Sequence, residues 1–600
     1  MRCAWIGVLL AALCVGAWAQ DETARSAFQL SIEAPDEIRT VLERHLELQR
    51  YRALTDLSDN ELERLMAIAA QDSRDLVATL GYFSPVVRIE RPSDGSTKSR
   101  VITLRVDPGQ PTLISEVTVI FSGPIAQDPL AAAQRQQIQD NWSLRTGMRF
   151  SQDRWDSAKQ QALRQLTTVR YPTGQIDSST ADIDAPNHVA HLRVTLDSGP
   201  AYQLGGLVVG GLERYDTELV TRLARLPRGT PYAQSDLVSA QQRLTDSGFF
   251  DSAYVNLNTA GDPAAAPVLV ELREAKLQKL VTGVGISTDA GPRVSLEHTH
   301  NKLPGLGWRA ASKIALDRET RAISTELTAP PDPDHWRWTT SAQLQDQETG
   351  STTVSSQRLR LGRSQSQDRV DRSVYAQYDR ANTASVDFTE PALAQALSAN
   401  YAVTLRNFDS TPFPSRGWGV GLAVGGGATL GSQTDPYARV VAHGLTYLPL
   451  DRETGGSAST QPAGRLALRA EFGAVLAKEG IALPSTQLFL TGGDNSVRGY
   501  TFRDIGAVRA NGLVVPGRYL ATGSMEWQRP ILMQGQMSDW ESTVFIDAGA
   551  VADHVSELRP KVGVGAGVRW KSPVGPLQID LAYGLEVKLL RLHMNVGFSF

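Results

Sequence analysis

A glycine-rich stretch with a single arginine is the part of the sequence whose residue types best predict a specific contact. The stretch reads Gly492-Gly493-Asp494-Asn495-Ser496-Val497-Arg498-Gly499-Tyr500. Glycine tolerates positive φ and lets the backbone approach other chain segments closely. The planar guanidinium of Arg498 carries a fork of donors that fits a carboxylate. Two interpretations follow: a loop folded inward onto a carboxylate, or an ordinary surface hairpin with a solvated arginine.

No other set of residues predicts chemistry. The sequence has no G-x-S-x-G nucleophile motif, no H-E-x-x-H zinc motif and no G-x-x-x-x-G-K-[ST] nucleotide loop. His298 and His300 lie two residues apart and would share one face of a strand, but no third metal ligand accompanies them. We therefore predict that the protein is not an enzyme and holds no cofactor and no metal.

Composition narrows the class of protein. The 600 residues carry 60 basic and 64 acidic side chains, a net charge of −4, which gives no reason to expect a nucleic-acid partner. The mean hydropathy is −0.23, and no apolar run beyond the N-terminus is long enough to span a bilayer as a helix. A chain of this length predicts several domains or one large closed structure.

The N-terminus predicts a signal peptide at residues 1–19. Arg2 supplies a positive region, residues 4–15 an apolar core, and Ala17-Trp18-Ala19 a small-x-small cleavage site. Both cysteines, Cys3 and Cys14, fall within this segment, so the exported chain would have no disulfide. A lipoprotein signal is disfavoured because Leu13, not a small residue, precedes Cys14.

Residues 28–275 contain a pattern repeated every 80 to 90 residues: a strand, two helices and two strands. One example of the repeated helix begins at a capping box, Ser58-Asp59-Asn60-Glu61. Helix endings recur as Gly81-Tyr82-Phe83 and Gly248-Phe249-Phe250, and unit boundaries as Asp107-Pro108-Gly109 and Asp197-Ser198-Gly199. The units resemble POTRA domains, and we place them at residues 20–109, 110–199 and 200–275. Such a unit could dock another chain by β-augmentation or act as an inert spacer.

From residue 276 to 600 the periodicity is two. Trp418, Val420, Leu422 and Val424 alternate with glycine and alanine, and Leu592, Met594 and Val596 alternate with polar residues. Strands of about ten residues that are apolar on one face are typical of a transmembrane β-barrel, which leaves no backbone group unpaired in lipid. We predict an antiparallel transmembrane β-barrel of about 16 strands that follows three α+β domains, with an inward-folded loop at about residues 484–517.

These features together resemble the BamA superfamily of outer-membrane assembly and translocation proteins. In that family the loop tip Val-Arg-Gly-aromatic folds into the barrel, and an inward strand motif, F-x-D-x-G, holds its arginine. The matching residues here are Val497, Arg498, Gly499 and Tyr500 for the tip and Phe545, Asp547 and Gly549 for its seat. The resemblance implies an outer-membrane location with the POTRA domains in the periplasm.

Within the superfamily, the chain is most similar to the TamA group, which has three POTRA units and about 600 residues. The resemblance implies a lateral gate between the first and last barrel strands, through which client β-barrel proteins or autotransporters enter the bilayer. It implies as partners unfolded clients, the lipid bilayer and an inner-membrane-anchored TamB-like protein. The corresponding gate residues are Gly283, Gly285, Gly597, Phe598 and Phe600.

Two other functions remain open from the sequence. A two-partner secretion transporter would export a single partner protein, but it would normally have two POTRA units and a plug helix. A general solute porin would need neither the repeats nor the tip motif.

Overall fold

The computed structural model of the protein describes residues 28–596, apart from 55–56, 92–100, 288–290, 350–351, 368, 386–391, 411, 432, 451–462, 534–535 and 573–574. The predicted signal peptide, residues 1–19, lies outside the described residues. The chain forms two compact units; one contains the first two small domains, the other contains the barrel, and the third small domain contributes segments to both.

The N-terminal part contains three small α+β domains, each with one strand, then helices, then two strands; the first domain has one short helix more than the others. The first has β1 (Gln29–Glu33), α1 (Asp36–His45), α2 (Glu47–Arg50), α3 (Asp59–Thr79), β2 (Val86–Glu90) and β3 (Val101–Asp107). The second has β4 (Leu113–Ser122), α4 (Ala132–Asp140), α5 (Gln152–Thr167), β5 (Gln175–Asp184) and β6 (Val189–Asp197). The third has β7 (Leu204–Gly210), α6 (Thr217–Ala224), α7 (Gln234–Asp246), β8 (Phe250–Leu257) and β9 (Ala266–Glu274).

In each small domain the last strand lies between the other two, in the orders β1-β3-β2, β4-β6-β5 and β7-β9-β8. The helices bury their apolar stripe against this sheet; Leu62, Leu65 and Val77 of α3 are buried in the core of the first domain. The Ser58 side chain accepts a hydrogen bond from Glu61 N, as the capping box predicts, and starts α3. No described helix is long and apolar enough to cross a bilayer.

The C-terminal part is one 16-stranded sheet in which each strand pairs antiparallel with its neighbour. Its strands, with two short loop strands between β20 and β23, are β10 (Gln278–Ser287), β11 (Gly291–His300), β12 (Arg309–Leu316), β13 (Thr320–Thr328), β14 (Trp336–Thr349), β15 (Thr352–Ser366), β16 (Val370–Ser385), β17 (Ala392–Phe408), β18 (Gly417–Thr429), β19 (Pro436–Pro449), β20 (Arg465–Ala477), β21 (Ala507–Val508), β22 (Val514–Val515), β23 (Tyr519–Met533), β24 (Gln536–Ala552), β25 (Lys561–Ser572), β26 (Gly575–Gly584) and β27 (Leu589–Val596). The predicted barrel of about 16 strands is confirmed.

The outer face of this sheet is apolar. Trp418, Val420, Leu422 and Val424 are all exposed, whereas Gly419 and Gly421 between them are buried. Exposed large hydrophobic side chains cannot be stable in water over such an area, so this face suits lipid. We call the end at which β10 begins, directly after β9, the domain end, and the opposite end the loop end.

The longest connection between the described barrel strands joins β20 to β23 at the loop end, residues 478–518. Backbone bridges between Phe489 and Gly517 and between Thr491 and Ile505 fold it into a hairpin. This hairpin brings the glycine-rich stretch into the barrel lumen, where the candidate site forms.

Candidate functional site

The turn at the end of the hairpin depends on glycine. Gly492, Gly493 and Gly499 have φ of 110°, 100° and 94°, a region that side chains with a Cβ rarely adopt. Gly493 N donates to Val497 O at 3.2 Å, and Gly492 N donates to Ser496 Oγ at 2.9 Å. The chain therefore reverses tightly and presents Val497–Tyr500, which we call the tip, to the barrel wall.

Arg498 of the tip binds Asp547 of β24. Its Nε donates to Asp547 Oδ2 at 2.7 Å and its Nη2 to Asp547 Oδ1 at 2.9 Å, which is a bidentate pair. The backbone N–H of Arg498 also donates to Asp547 Oδ2, at 3.1 Å. Arg498 is 3% exposed and Asp547 0%, so water screens this pair little.

The same guanidinium contacts two further carboxylates. Nη1 of Arg498 donates at 2.9 Å to Glu526 Oε2 on β23 and at 2.9 Å to Asp580 Oδ2 on β26. Arg569 on β25 bridges the same two carboxylates, at 2.7 Å to Glu526 Oε2 and 2.5 Å to Asp580 Oδ1. We call the following five side chains the tip network: Arg498, Asp547, Glu526, Asp580 and Arg569. The network places two cations among three carboxylates and joins β23, β24, β25 and β26 to the loop.

Small residues on the wall make room for the tip. A Cβ added at Gly563 of β25 would collide with the carbonyl oxygen of Arg498, and one at Gly549 of β24 would lie 2.5 Å from Val497 Cγ2. A Cβ at Gly584 of β26 would lie 2.6 Å from Gly499 O. The ring of Phe545 lies under Arg498, with the guanidinium carbon 3.4 Å from the ring centroid, a cation–π contact.

The tip also holds the last strand. Gly499 N donates to Nε2 of His593 on β27 at 2.9 Å, and Nδ1 of the same imidazole is paired with Asp494 Oδ1. Because Nε2 accepts a hydrogen bond, the proton of a neutral His593 must lie on Nδ1 and be donated to Asp494. The imidazole therefore links two residues of the loop to β27.

Tyr500 closes the tip. It is fully buried, its hydroxyl donates to Val562 O at 3.2 Å, and the hydroxyl oxygen accepts from Glu586 N at 3.3 Å. Val562 is on β25 and Glu586 is in the turn between β26 and β27. All four predicted tip residues therefore lie against the last four strands.

The seam, by which we mean the boundary between β10 and β27, differs from the rest of the sheet. β10 pairs with β11 along its whole length, with Gly283 opposite Ser295 and Gly285 opposite Arg293. β10 and β27 lie next to each other, but within the described ranges no paired register joins them. The gate residues predicted on the last strand, Gly597, Phe598 and Phe600, lie outside the described residues.

The buried ion pairs of the site can fix the tip in position and connect neighbouring strands of the barrel. Among the described residues no cluster of three or more His, Cys, Asp or Glu side chains could hold a metal ion. Removing one partner of a buried, hydrogen-bonded ion pair costs roughly 3 to 5 kcal/mol, because the other charge is left buried. The tip network is therefore suited to fixing the position of the loop.

Sequence reasoning found Arg498 and Asp547 but missed Glu526, Arg569 and His593 as their neighbours. Each is a charged or titratable residue at an inward position in the middle of a strand, which is a usable signal. It is a weak one by itself, because polar residues are common on the lumenal face of a barrel. Glu526 and Asp580 contact the guanidinium of Arg498 although they follow it by 28 and 82 positions in the sequence. The pattern of a single strand does not reveal the register that brings them there.

Several known proteins are similar to this chain. A family model described as the Omp85 superfamily domain matches residues 289–600. BamA from Haemophilus ducreyi lacking POTRA domains 1-3 has a TM-score of 0.55 at 17% identity, and the match covers 81% of this chain and 100% of that chain. CdiB from Acinetobacter baumannii has a TM-score of 0.44 at 14% identity, covering 90% and 99%. BamA POTRA3-5 from Haemophilus influenzae has a TM-score of 0.25 at 16% identity, covering 42% and 96%.

Proposed function

The chain belongs to the Omp85 superfamily, and on that premise we propose that it is an assembly factor that inserts client β-barrel proteins or autotransporters into the outer membrane. The barrel lies in the outer membrane and the three small domains, which are POTRA domains, lie in the periplasm. Clients would enter the bilayer through a lateral gate at the seam.

The absence of a paired register between β10 and β27 in the described ranges is the observation that supports this proposal most. A strand edge whose N–H and C=O groups are unpaired is a template for another strand. A client strand could therefore take its first hydrogen bonds from β10 or β27 by β-augmentation, without breaking a complete ladder. Gly283 and Gly285 would weaken β10 further, because glycine has no side chain to pack on its neighbour.

In this mechanism the tip keeps one side of the gate in place. Arg498 joins the loop to β23, β24 and β26, and His593 joins it to β27. β27 would then remain a fixed edge while β10 moves away from it. Gly283, Gly285, Gly597, Phe598 and Phe600 are the residues that we propose for the gate.

We further propose that the chain acts as a TamA-like protein. The three repeated α+β units before the barrel support this assignment, as does the residue pattern around the tip. A TamB-like inner-membrane-anchored partner, a signal peptide at residues 1–19 and domain boundaries near residues 109, 199 and 275 belong to the same proposal. The competing proposal is a two-partner secretion transporter that exports one protein.

Disulfide locking tests the gate. Both cysteines lie in the predicted signal peptide, so pairs of introduced cysteines across residues 280–285 of β10 and 590–594 of β27 would form the only disulfide of the exported chain. We expect such a lock to stop client insertion and a reductant to restore it. The matched control is Leu581→Cys with Leu592→Cys, two directly opposed residues of β26 and β27, whose disulfide leaves the seam free.

The readout is the abundance of outer-membrane β-barrel proteins in cells that depend on the locked protein. An unchanged outer-membrane proteome, with one secreted protein trapped in the periplasm, would contradict the assembly function and favour the two-partner alternative. Insertion that continues in the locked protein would contradict the gate itself.

A further inference from the structure

A cationic cleft lies at the domain end of the barrel, away from the tip and the seam. It is a cavity of about 780 Å³ between the helices α6 and α7 and the turns that join β15 to β16 and β17 to β18. Five arginines line it, against two aspartates. The arginines are Arg225, Arg243, Arg337, Arg369 and Arg406.

The two aspartates of the cleft are engaged elsewhere. Asp409 accepts hydrogen bonds from the backbone N–H groups of Ser410 and Ser415, both at 2.9 Å, within its own turn. Asp246 accepts from Gln242 Nε2 at 2.8 Å on its own helix. These neutral donors fix the positions of both carboxylates but leave their charge, and the five arginines still outnumber them, so the potential of the cleft is positive.

Two of the arginines make no ion pair with any residue that the structure describes. Arg406 is paired with Asp371 at 2.6 Å, and Arg225 donates to Ser366 O at 2.7 Å, which fixes the position of both side chains. Arg337 and Arg369 have no such carboxylate partner within the described ranges. They provide the donors that an incoming anion could use.

The cleft faces the lumen rather than the lipid. Trp338, 48% exposed, and Leu405, 39% exposed, belong to the apolar outer face. Arg337 and Arg406 are the neighbours of these residues along β14 and β17, so alternation directs them inward. A phospholipid whose headgroup occupied the cleft would have to pass its acyl chains through the wall of strands, which disfavours a lipid as the occupant.

We propose that this cleft binds an acidic segment of extended polypeptide at the mouth of the barrel. Guanidinium groups bind carboxylates in charge-assisted, often bidentate hydrogen bonds. Leu223 and Phe408, which also line the cleft, provide apolar surface for the residues between the acidic ones. The inference rests on the proposed function only for the source of the peptide, a client chain in transit; the binding site itself is a property of the cleft.

The test is a binding measurement on the full-length protein in detergent, which needs no insertion activity. The probe is a fluorescein-labelled ten-residue peptide with four aspartates and two leucines, compared with the same peptide carrying asparagines. Arg337→Gln with Arg369→Gln keeps the Arg406–Asp371 pair intact. The matched control, Arg318→Gln with Arg509→Gln, also removes two positive charges, from exposed arginines at the loop end.

We expect the acidic peptide to bind at least about tenfold more tightly than its asparagine analogue, and the cleft variant to lose about tenfold in affinity. The control variant should change affinity by less than about twofold. Equal binding of the two peptides, or an equal loss in both variants, would overturn the proposal. Binding of short-chain phosphatidylglycerol that the cleft variant loses, without binding of the acidic peptide, would reassign the cleft to lipid and also overturn it. Failure of the disulfide-lock experiment alone would leave this binding result unaffected.

Discussion

The two sides of the seam are held in different ways. On the side of β27, the tip network and His593 connect the last five strands to a buried loop in the middle of the barrel wall. On the side of β10, the described backbone pairing is with β11, and the residues just before the strand accept hydrogen bonds from Asn301. Val284 of β10 is 87% exposed. This difference supports the proposal that a gate at the seam would open by movement of the first strands, with the last strands as the fixed edge.

The base of the first strand makes contacts beyond its pairing with β11. Leu277 O, one residue before β10, accepts from Asn301 N at 2.8 Å, and Asn301 Nδ2 donates to Lys276 O at 2.8 Å. Just before it, Arg214 Nε donates to Glu274 Oε2 at 2.6 Å. Tyr215 of the third POTRA domain also donates through its hydroxyl to Asn301 O at 3.0 Å, so the base of the strand is tied to that domain, whereas its glycines lie beyond this contact. Contacts near the middle of β27 would then keep one edge of the proposed gate fixed. Contacts at the base of β10 would control the movement of the other edge.

The largest expected effect is the loss of the fixed edge in Arg498→Ala. This change leaves three buried carboxylates with one remaining cation and should destabilise the barrel by roughly 3 to 5 kcal/mol. Arg498→Lys should recover only part of the loss, because an ammonium cannot make the bidentate contact with Asp547. Urea unfolding followed by tryptophan fluorescence gives the free energy, and Arg509→Ala, an exposed arginine of the same loop, is the control. Equal midpoints for the two alanine variants would refute the bracing role of the tip.

A second, smaller effect should come from filling the seat of the tip. In Gly563→Ala the new methyl group would collide with the carbonyl oxygen of Arg498, so the tip must shift, at a cost of about 1 to 3 kcal/mol. Gly523→Ala on β23 is a matched control, because the nearest atom to its Cβ, Arg469 O, is 4.0 Å away. The same unfolding measurement compares them, and a control variant that is as unstable as Gly563→Ala would mean that the tip is not seated there.

His593→Phe should loosen the last strand with a modest loss of stability. The variant removes the acceptor for Gly499 N–H and the partner of Asp494, which costs about 1 to 3 kcal/mol. Hydrogen exchange in β27 should become faster, while that in β14 stays unchanged. His298→Phe on β11 serves as the control. Unchanged exchange in β27 would show that the histidine does not hold the strand.

The smallest effect concerns the hinge of β10 and depends on pH. Burial by itself would raise the pKa of Glu274, but hydrogen bonds from the Arg214 guanidinium and from three backbone N–H groups outweigh it and hold the pKa below its ordinary value. A lowered folded pKa means that the carboxylate stabilises the fold at neutral pH, and that this contribution is lost as pH falls below about 4. Glu274→Gln should therefore be less stable at pH 7 by about 1 kcal/mol, and the difference should shrink at pH 3. A difference that persists at low pH would exclude the ionised form as its cause.

Sequence reasoning predicted the parts of the fold that depend on local alternation. The outward residues of β18 or β26 are apolar because each strand meets lipid on one face, and this shows in any single strand. Arg498 and Asp547 could be paired because each belongs to a motif. Glu526, Arg569 and His593 could not, since their meeting depends on the shear of several strands and on how deep the loop enters the lumen. Likewise, Arg337 and Arg406 share a cleft only because β14 begins and β17 ends at the same rim.

Hydrogen–deuterium exchange of the unmodified protein in lipid vesicles compares the two sides of the seam most directly. Backbone amides of β10 and β11 should exchange faster than those of β26 and β27, because the tip holds only the latter pair. Arg498→Ala should bring the rates of β26 and β27 up to those of β10 and β11. Slower exchange in β10 than in β27 in the unmodified protein would contradict a fixed edge at the last strand.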